Sequence, residues 1–228
     1  MSIAENLKVL QKSLTNEVVL VAVSKTKTNA DILQAYNSGQ RIFGENKVQE
    51  LVQKQEELPK DIQWHMIGHL QSNKVKYIAP FVSLIHGVDS LKLLREINKR
   101  AAQNKRIIDC LLQVHIATES SKFGFGINEI KDALIAVQKF KNINIKGLMG
   151  MATFTNDKTQ IAKEFYDLKT VFNQIKTPQM SPSYHTQRIP FERARRTCWA
   201  CSRTAKRAAR AVPCRAPARR PRPAPSSA

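Results

Sequence analysis

Lys25 follows the apolar run Val18 to Val23 after a single serine, and with period-two alternation it shares a face with Val19, Val21 and Val23. A lysine that continues an apolar face is unusual. A primary amine placed there could act as a nucleophile toward an aldehyde cofactor, provided it is neutral. Partial desolvation and a nearby cation such as Lys27 both push an amine toward that form. Position alone leaves a second reading open, in which the long side chain snorkels out of a strand end into water.

Other residues invite metal chemistry and support it poorly. His65 and His69 have the four-residue spacing of two zinc ligands on a helix. However, Gly68 intervenes, Ile62, Trp64 and Met66 alternate as in a strand, and no HExxH pattern is present. Structural or pocket-lining histidines are the expectation. Cys198-Trp199-Ala200-Cys201 is a lone CxxC with only Cys214 and His185 to assist, a weak zinc signal. Cys110 lies inside the apolar run Ile107 to Val114, which predicts a buried free thiol and agrees with a reducing compartment.

The elements that must position Lys25 alternate. Ile3, Leu7, Leu10 and Leu14 recur every three to four residues and predict an opening helix. The branched run Val18 to Val23 is too short for a core helix and suits a strand buried on both faces, as in parallel sheets. Thr28 with Asp31 forms a capping-box-like start, Ile32, Ala35 and Tyr36 give a helical face, and Gly39 stands where a C-cap glycine belongs. Further strands are expected near Arg41 to Phe43, Ile62 to Ile67, Phe81 to His86, Ile107 to Val114 and Ile143 to Met151. Helical periodicity separates them, as in Val48, Leu51, Val52 and in Ile161, Phe165, Leu168, Phe172. Six strand-helix units imply a parallel α/β fold, either an open doubly wound sheet or an eight-strand barrel. Ser24 to Ala30 contains no glycine, so a dinucleotide fingerprint is missing from the first helix. In parallel α/β folds the C-terminal ends of strands carry the reactive groups, which is where Lys25 falls.

The pattern stops after Ile175. Residues 1 to 180 hold 25 Lys+Arg against 17 Asp+Glu, whereas 181 to 228 hold 12 against one, so most of the excess charge of the 228-residue chain lies in its last part. The base changes from lysine to arginine, and all eight glycines lie at or before Gly150. Arg, Ala, Pro and Ser without apolar periodicity give residues 181–228 no strand or helix pattern and predict a disordered tail. The simultaneous change predicts a reading-frame shift or fusion junction close to Pro178 to Ser183, which sequencing the DNA across that point tests. A genuine tail of this charge would bind nucleic acid through phosphates. No stretch approaches the ~20 apolar residues that span a bilayer, and Met1 to Leu14 lacks a signal-peptide apolar run. A cytoplasmic protein without membrane partners is expected.

Val21-Ala22-Val23-Ser24-Lys25-Thr26-Lys27 resembles the lysine segment of the YggS/PROSC family, the pyridoxal phosphate homeostasis proteins. Phe43-Gly44-Glu45-Asn46-Lys47-Val48-Gln49-Glu50 and Trp64-His65-Met66-Ile67-Gly68-His69-Leu70-Gln71-Ser72-Asn73-Lys74 resemble two further signatures in the same order. Ser121-Lys122-Phe123-Gly124-Phe125 and Gly147-Leu148-Met149-Gly150-Met151 continue the series, so the resemblance spans roughly residues 3 to 177. It implies a (β/α)8 TIM-type barrel similar to the N-terminal domain of alanine racemase, here with about six of eight units recognisable in residues 1–180. It also implies pyridoxal 5'-phosphate held as a Schiff base on Lys25, with Asn46 near the cofactor ring and Met149 bordering the pocket. For Asn46 a helix N-cap is the alternative. Lys122 could neutralise phosphate or be a solvated loop lysine.

The implied role is intracellular cofactor homeostasis, with pyridoxal-phosphate-dependent enzymes as recipients and no assigned reaction. The alternatives are a racemase-like enzyme and nucleic-acid binding through the tail. Family members continue with a Ser-Met-Gly-Met-Ser loop and a Met-Val-Arg-Ile-Gly strand that bind the phosphate and approach the pyridine nitrogen. Neither segment is present in this sequence.

Overall fold

The computed structural model describes residues 2–14, 18–118 and 123–175, together with the backbone of 186–188 and 198–202. Helix α1 (Ile3–Ser13) opens on a capping box between Ser2 and Glu5 and leads to β1 (Val18–Val23). Then α2 (Asn29–Asn37), β2 (Ile42–Glu45), α3 (Val48–Glu57) and β3 (Gln63–Met66) alternate. A 3-10 turn at Ser72–Lys74 and the short α4 (Val75–Ile78) precede β4 (Leu84–Val88). The series continues with α5 (Leu91–Gln103), β5 (Ile108–Val114), α6 (Glu129–Val137), β6 (Ile143–Gly150) and α7 (Lys158–Ile175).

Strands β1 to β6 pair with their neighbours in chain order, all parallel, and form a half-barrel clothed in helices. Thr28 caps α2 and exchanges the capping-box bonds with Asp31, and Gly39 follows that helix at φ 98°, a conformation a side chain would strain. These local signals place α2 where the sequence predicts it. Strand β4 begins later than the apolar run starting at Phe81, because the Phe81 and Val82 amides donate back to the Ile78 carbonyl and close the preceding helix.

Each strand divides its side chains between two faces. Phe43, Trp64, Ile85, Cys110 and Leu112 point outward into one large core against the helices. Phe43 and Trp64 lie 6.0 Å apart at 47°, a tilted aromatic pair of the kind worth ~1 kcal/mol beyond area burial. Two smaller clusters line the inner face: Val21 with Ile67, Val23 and Ile42, and Leu84 with Leu111, Met149 and Met151. Cys110 is a free, buried thiol as expected, and burial raises its pKa.

Strand β1 departs from the expectation of burial on both faces, since only Val21 is fully buried. It ends the parallel ladder, and among the described residues no further strand-helix unit covers it. Its free edge is paired instead by backbone from the segment that carries no strand pattern in sequence: β7 (Thr186–Arg188) and β8 (Cys198–Ser202) form an antiparallel hairpin, and β8 runs antiparallel to β1. An open edge offers unpaired amides and carbonyls whatever the side chains of the pairing strand. Among the described residues, no helix is long and apolar enough to cross a membrane.

Candidate functional site

The turn after β1 sets the direction of Lys25. The Lys27 amide donates to the Ser24 carbonyl (3.0 Å), Thr26 occupies the left-handed region at φ 63°, and Thr28 is already the cap of α2. A β-branched residue at positive φ is an outlier, at a cost on the order of 1–2 kcal/mol. Lys25 is half-buried, two residues past the C-terminal end of β1. Its amine makes no hydrogen bond or ion pair with any described residue.

Beneath this turn lies a buried polar network. Ser24 donates its hydroxyl to Glu45 Oε1 (2.6 Å), and Lys54 Nζ donates to the Ser24 carbonyl (2.8 Å), Glu45 Oε1 (2.8 Å) and Glu50 Oε1 (2.6 Å). The same Glu50 oxygen accepts the Thr26 amide at 2.7 Å. Burial pushes the Glu45 carboxyl above its ordinary range, although the bonds from Lys54 and Ser24 pull it back. For Glu50, partial burial acts upward but is outweighed by the bonds from Lys54 and the Thr26 amide, and its pKa falls.

Neighbouring strand ends complete the inner surface. Asn46, half-buried, directly follows β2. The cap of α3 is Lys47, which makes no side-chain cap bond, so the capping alternative for Asn46 does not hold. Gly68 presses against it: a Cβ at 68 would stand 2.5 Å from the Asn46 carbonyl oxygen and 2.8 Å from its Cα, so only glycine fits. Farther round, His86 Nε2 lies 3.1 Å from His65 Nδ1 with both rings buried. Burial lowers the His65 pKa to about 4, and burial together with the His65 ring lowers that of His86. Gln113 donates to the Phe123 carbonyl (2.7 Å), His69 stacks on Phe123 at 4.3 Å, and His69 Nδ1 lies 3.1 Å from Asp89.

Met149 reaches the inner face through an irregularity. In β6, Ile143 and Ile145 point outward, and plain alternation would send Met149 with them. The register with β5 shifts between Cys110 and Leu111, where Cys110 faces Ile145 and Leu111 faces Gly147. The extra residue reverses the parity, turning Leu148 outward and Met149 inward against Leu84 and Leu111.

His65 and His69 thus have separate partners, and no group of three metal-ligating side chains occurs among the described residues. Ser121, Lys122, His185 and Cys214 lie outside the described residues, and Cys198 and Cys201 are described in backbone only. Sequence reasoning missed Glu45, Glu50, Lys54 and His86. Lys54 carried a readable signal, because it interrupts the stripe Leu51 to Leu58 on the buried side of α3, just as Lys25 interrupts an apolar face.

A family model described as alanine racemase, N-terminal domain, matches residues 1–188. The pyridoxal phosphate homeostasis protein of Pasteurella multocida (strain Pm70) is 35% identical over 191 residues, covering 77% of this chain and 81% of that protein. The one from Escherichia coli (strain K12) is 34% identical over 178 residues, covering 73% and 76%. The chain belongs to the pyridoxal phosphate homeostasis protein family. Among solved structures of this family's fold, PipY of Synechococcus elongatus PCC7942 with pyridoxal phosphate bound is similar at a TM-score of 0.71 and 33% identity, covering 78% of this chain and 85% of that one. Alanine racemase of Clostridium difficile 630, at 12% identity, covers 76% of this chain and 47% of its own, with a TM-score of 0.63, and shares the fold. Six parallel strands with their helices carry this fold here; Lys25 and Asn46 follow the C-terminal ends of β1 and β2, and Met149 packs with Leu84 and Leu111.

Proposed function

We propose that this chain is a cytoplasmic pyridoxal 5'-phosphate-binding protein of cofactor homeostasis, with Lys25 as the amine that takes the cofactor and pyridoxal-phosphate-dependent enzymes as its recipients. The observation that carries the reading is a half-buried lysine just past the C-terminal end of β1 whose amine has no partner among the described residues. Bound there, pyridoxal phosphate would supply an aldehyde, an electrophile suited to capture by the Lys25 amine.

The residues present fit the aldehyde and ring end of that group. Val23, Ile67 and Met149 provide apolar lining, and Asn46, free of capping duty, provides an amide for the ring side. The phosphate end has no counterpart in this sequence to the family's C-terminal loop, so binding weaker than in full-pattern relatives is expected. Relatives at 34–35% identity carry the homeostasis name, whereas the likeness to racemases rests on fold alone. That favours a carrier over a racemase.

Borohydride reduction of the protein mixed with pyridoxal phosphate, followed by peptide mass analysis, tests this directly. A reduced pyridoxyl group on Lys25 is expected. A label spread evenly over surface lysines would overturn the assignment.

A further inference from the structure

The network under the Lys25 turn holds the residues on both sides of that lysine while making no bond to its side chain. Ser24 is gripped through its carbonyl by Lys54 and through its hydroxyl by Glu45. Thr26 is gripped through its amide by Glu50. Lys54 joins the two grips, bonding both carboxylates from one turn farther along α3. What is held is not a relaxed conformation. Thr26 stands at φ 63°, where a threonine Cβ is crowded and where glycine would sit freely. Strained backbone beside a reactive group persists when the surroundings over-determine it. Here the restraint is a charge-assisted bond from a carboxylate that Lys54 fixes in place, with the Glu50 side chain 24% exposed and that of Lys54 7% exposed.

The geometry points to Glu50 and Lys54 as positioning residues for Lys25: they hold the left-handed turn at Thr26, and with it the direction in which the Lys25 amine leaves the strand. Without the Glu50 carboxylate the Thr26 amide loses its acceptor, the turn relaxes toward negative φ, and the amine swings from the inner face toward water. This inference rests on the reading of Lys25 as the cofactor amine, and it is testable apart from it.

The experiment uses the full chain and compares Glu50→Ala, Glu50→Gln and Glu50→Ala with Thr26→Gly. Three quantities are read: affinity for pyridoxal phosphate from the Lys25-dependent visible band, labelling of Lys25 by an amine-directed reagent across pH with Lys27 as internal reference, and the melting temperature. Loss of one charge-assisted bond predicts a drop in affinity on the order of tenfold for Glu50→Ala, and faster labelling of Lys25 relative to Lys27. Glu50→Gln retains an acceptor for the amide and falls between. Adding Thr26→Gly recovers most of the affinity, because glycine takes the left-handed conformation unaided. Glu50→Ala leaves the buried Glu45–Lys54 pair intact, so the protein stays folded and the comparison is decisive. Unchanged affinity and labelling in Glu50→Ala would overturn the inference, as would a loss that Thr26→Gly fails to recover. A parent chain with no Lys25-dependent band would instead count against Lys25 as the cofactor amine, while the labelling ratio would still judge the positioning role.

Discussion

Lys54 Nζ lies 2.8 Å from Glu45 Oε1, with the Glu45 side chain fully buried and that of Lys54 7% exposed. Neither group has water to fall back on: Lys54 has Glu50 as a second carboxylate, whereas Glu45 has Lys54 as its ion-pair partner. Removing one partner of such a pair costs about 3–5 kcal/mol, since the other remains buried and uncompensated. Lys54→Met is therefore expected to lower stability by roughly that amount, and Lys54→Met with Glu45→Gln to lower it less. Urea unfolding midpoints of the three proteins measure this. A double variant at least as unstable as the single one would contradict the pairing.

The His65–His86 contact predicts an acid-sensitive fold. Both rings are held below the ordinary histidine value of 6.5, His65 at about 4. The unfolded chain thus takes up protons near pH 6.5 that the native pair refuses, and stability falls as pH drops from there toward about 4. Above 6.5 both states are neutral at these rings and the effect vanishes. The His65 shift alone corresponds to about 3 kcal/mol by the low end of that window. Unfolding midpoints at pH 7.5 and pH 5 should separate widely in the parent and narrowly in His65→Gln with His86→Gln; equal separations would refute it.

At Gly68 the space itself makes the prediction. A methyl group there would meet the Asn46 backbone at 2.5–2.8 Å, so Gly68→Ala must push the end of β2 aside. Overpacking of this kind costs about 1–3 kcal/mol. Because the displaced residue is Asn46, the variant should also bind pyridoxal phosphate more weakly, which calorimetry and a melting curve read together. A variant with parental melting temperature and affinity would show that Asn46 moves without consequence.

What was legible in the sequence follows from how local each cause is. Strand β1 and helix α2 were readable because a branched apolar run and a Thr28–Asp31 box act within a few residues. Alternation with Val21 and Val23, which β1 keeps without a bulge, is the ground for expecting Lys25 on the inner face. Met149 could not have been placed that way, because the irregularity in β6 reverses its side and nothing short-range announces it. Resemblance named that residue, and geometry explains it. The Ser24–Glu45–Lys54–Glu50 network joins positions up to 30 apart, so the segment Phe43 to Glu50 was recognisable as a signature before its two carboxylates had a role. The pairing of β8 with β1 was invisible for a different reason: backbone pairing at an open edge asks little of side-chain pattern.

The most direct measurement is a titration of the full chain with pyridoxal phosphate, following visible absorbance in parallel with Lys25→Ala. The parent should develop a saturable Schiff-base band that Lys25→Ala lacks at the same cofactor concentration. A band of equal height and midpoint in the two proteins would contradict the account.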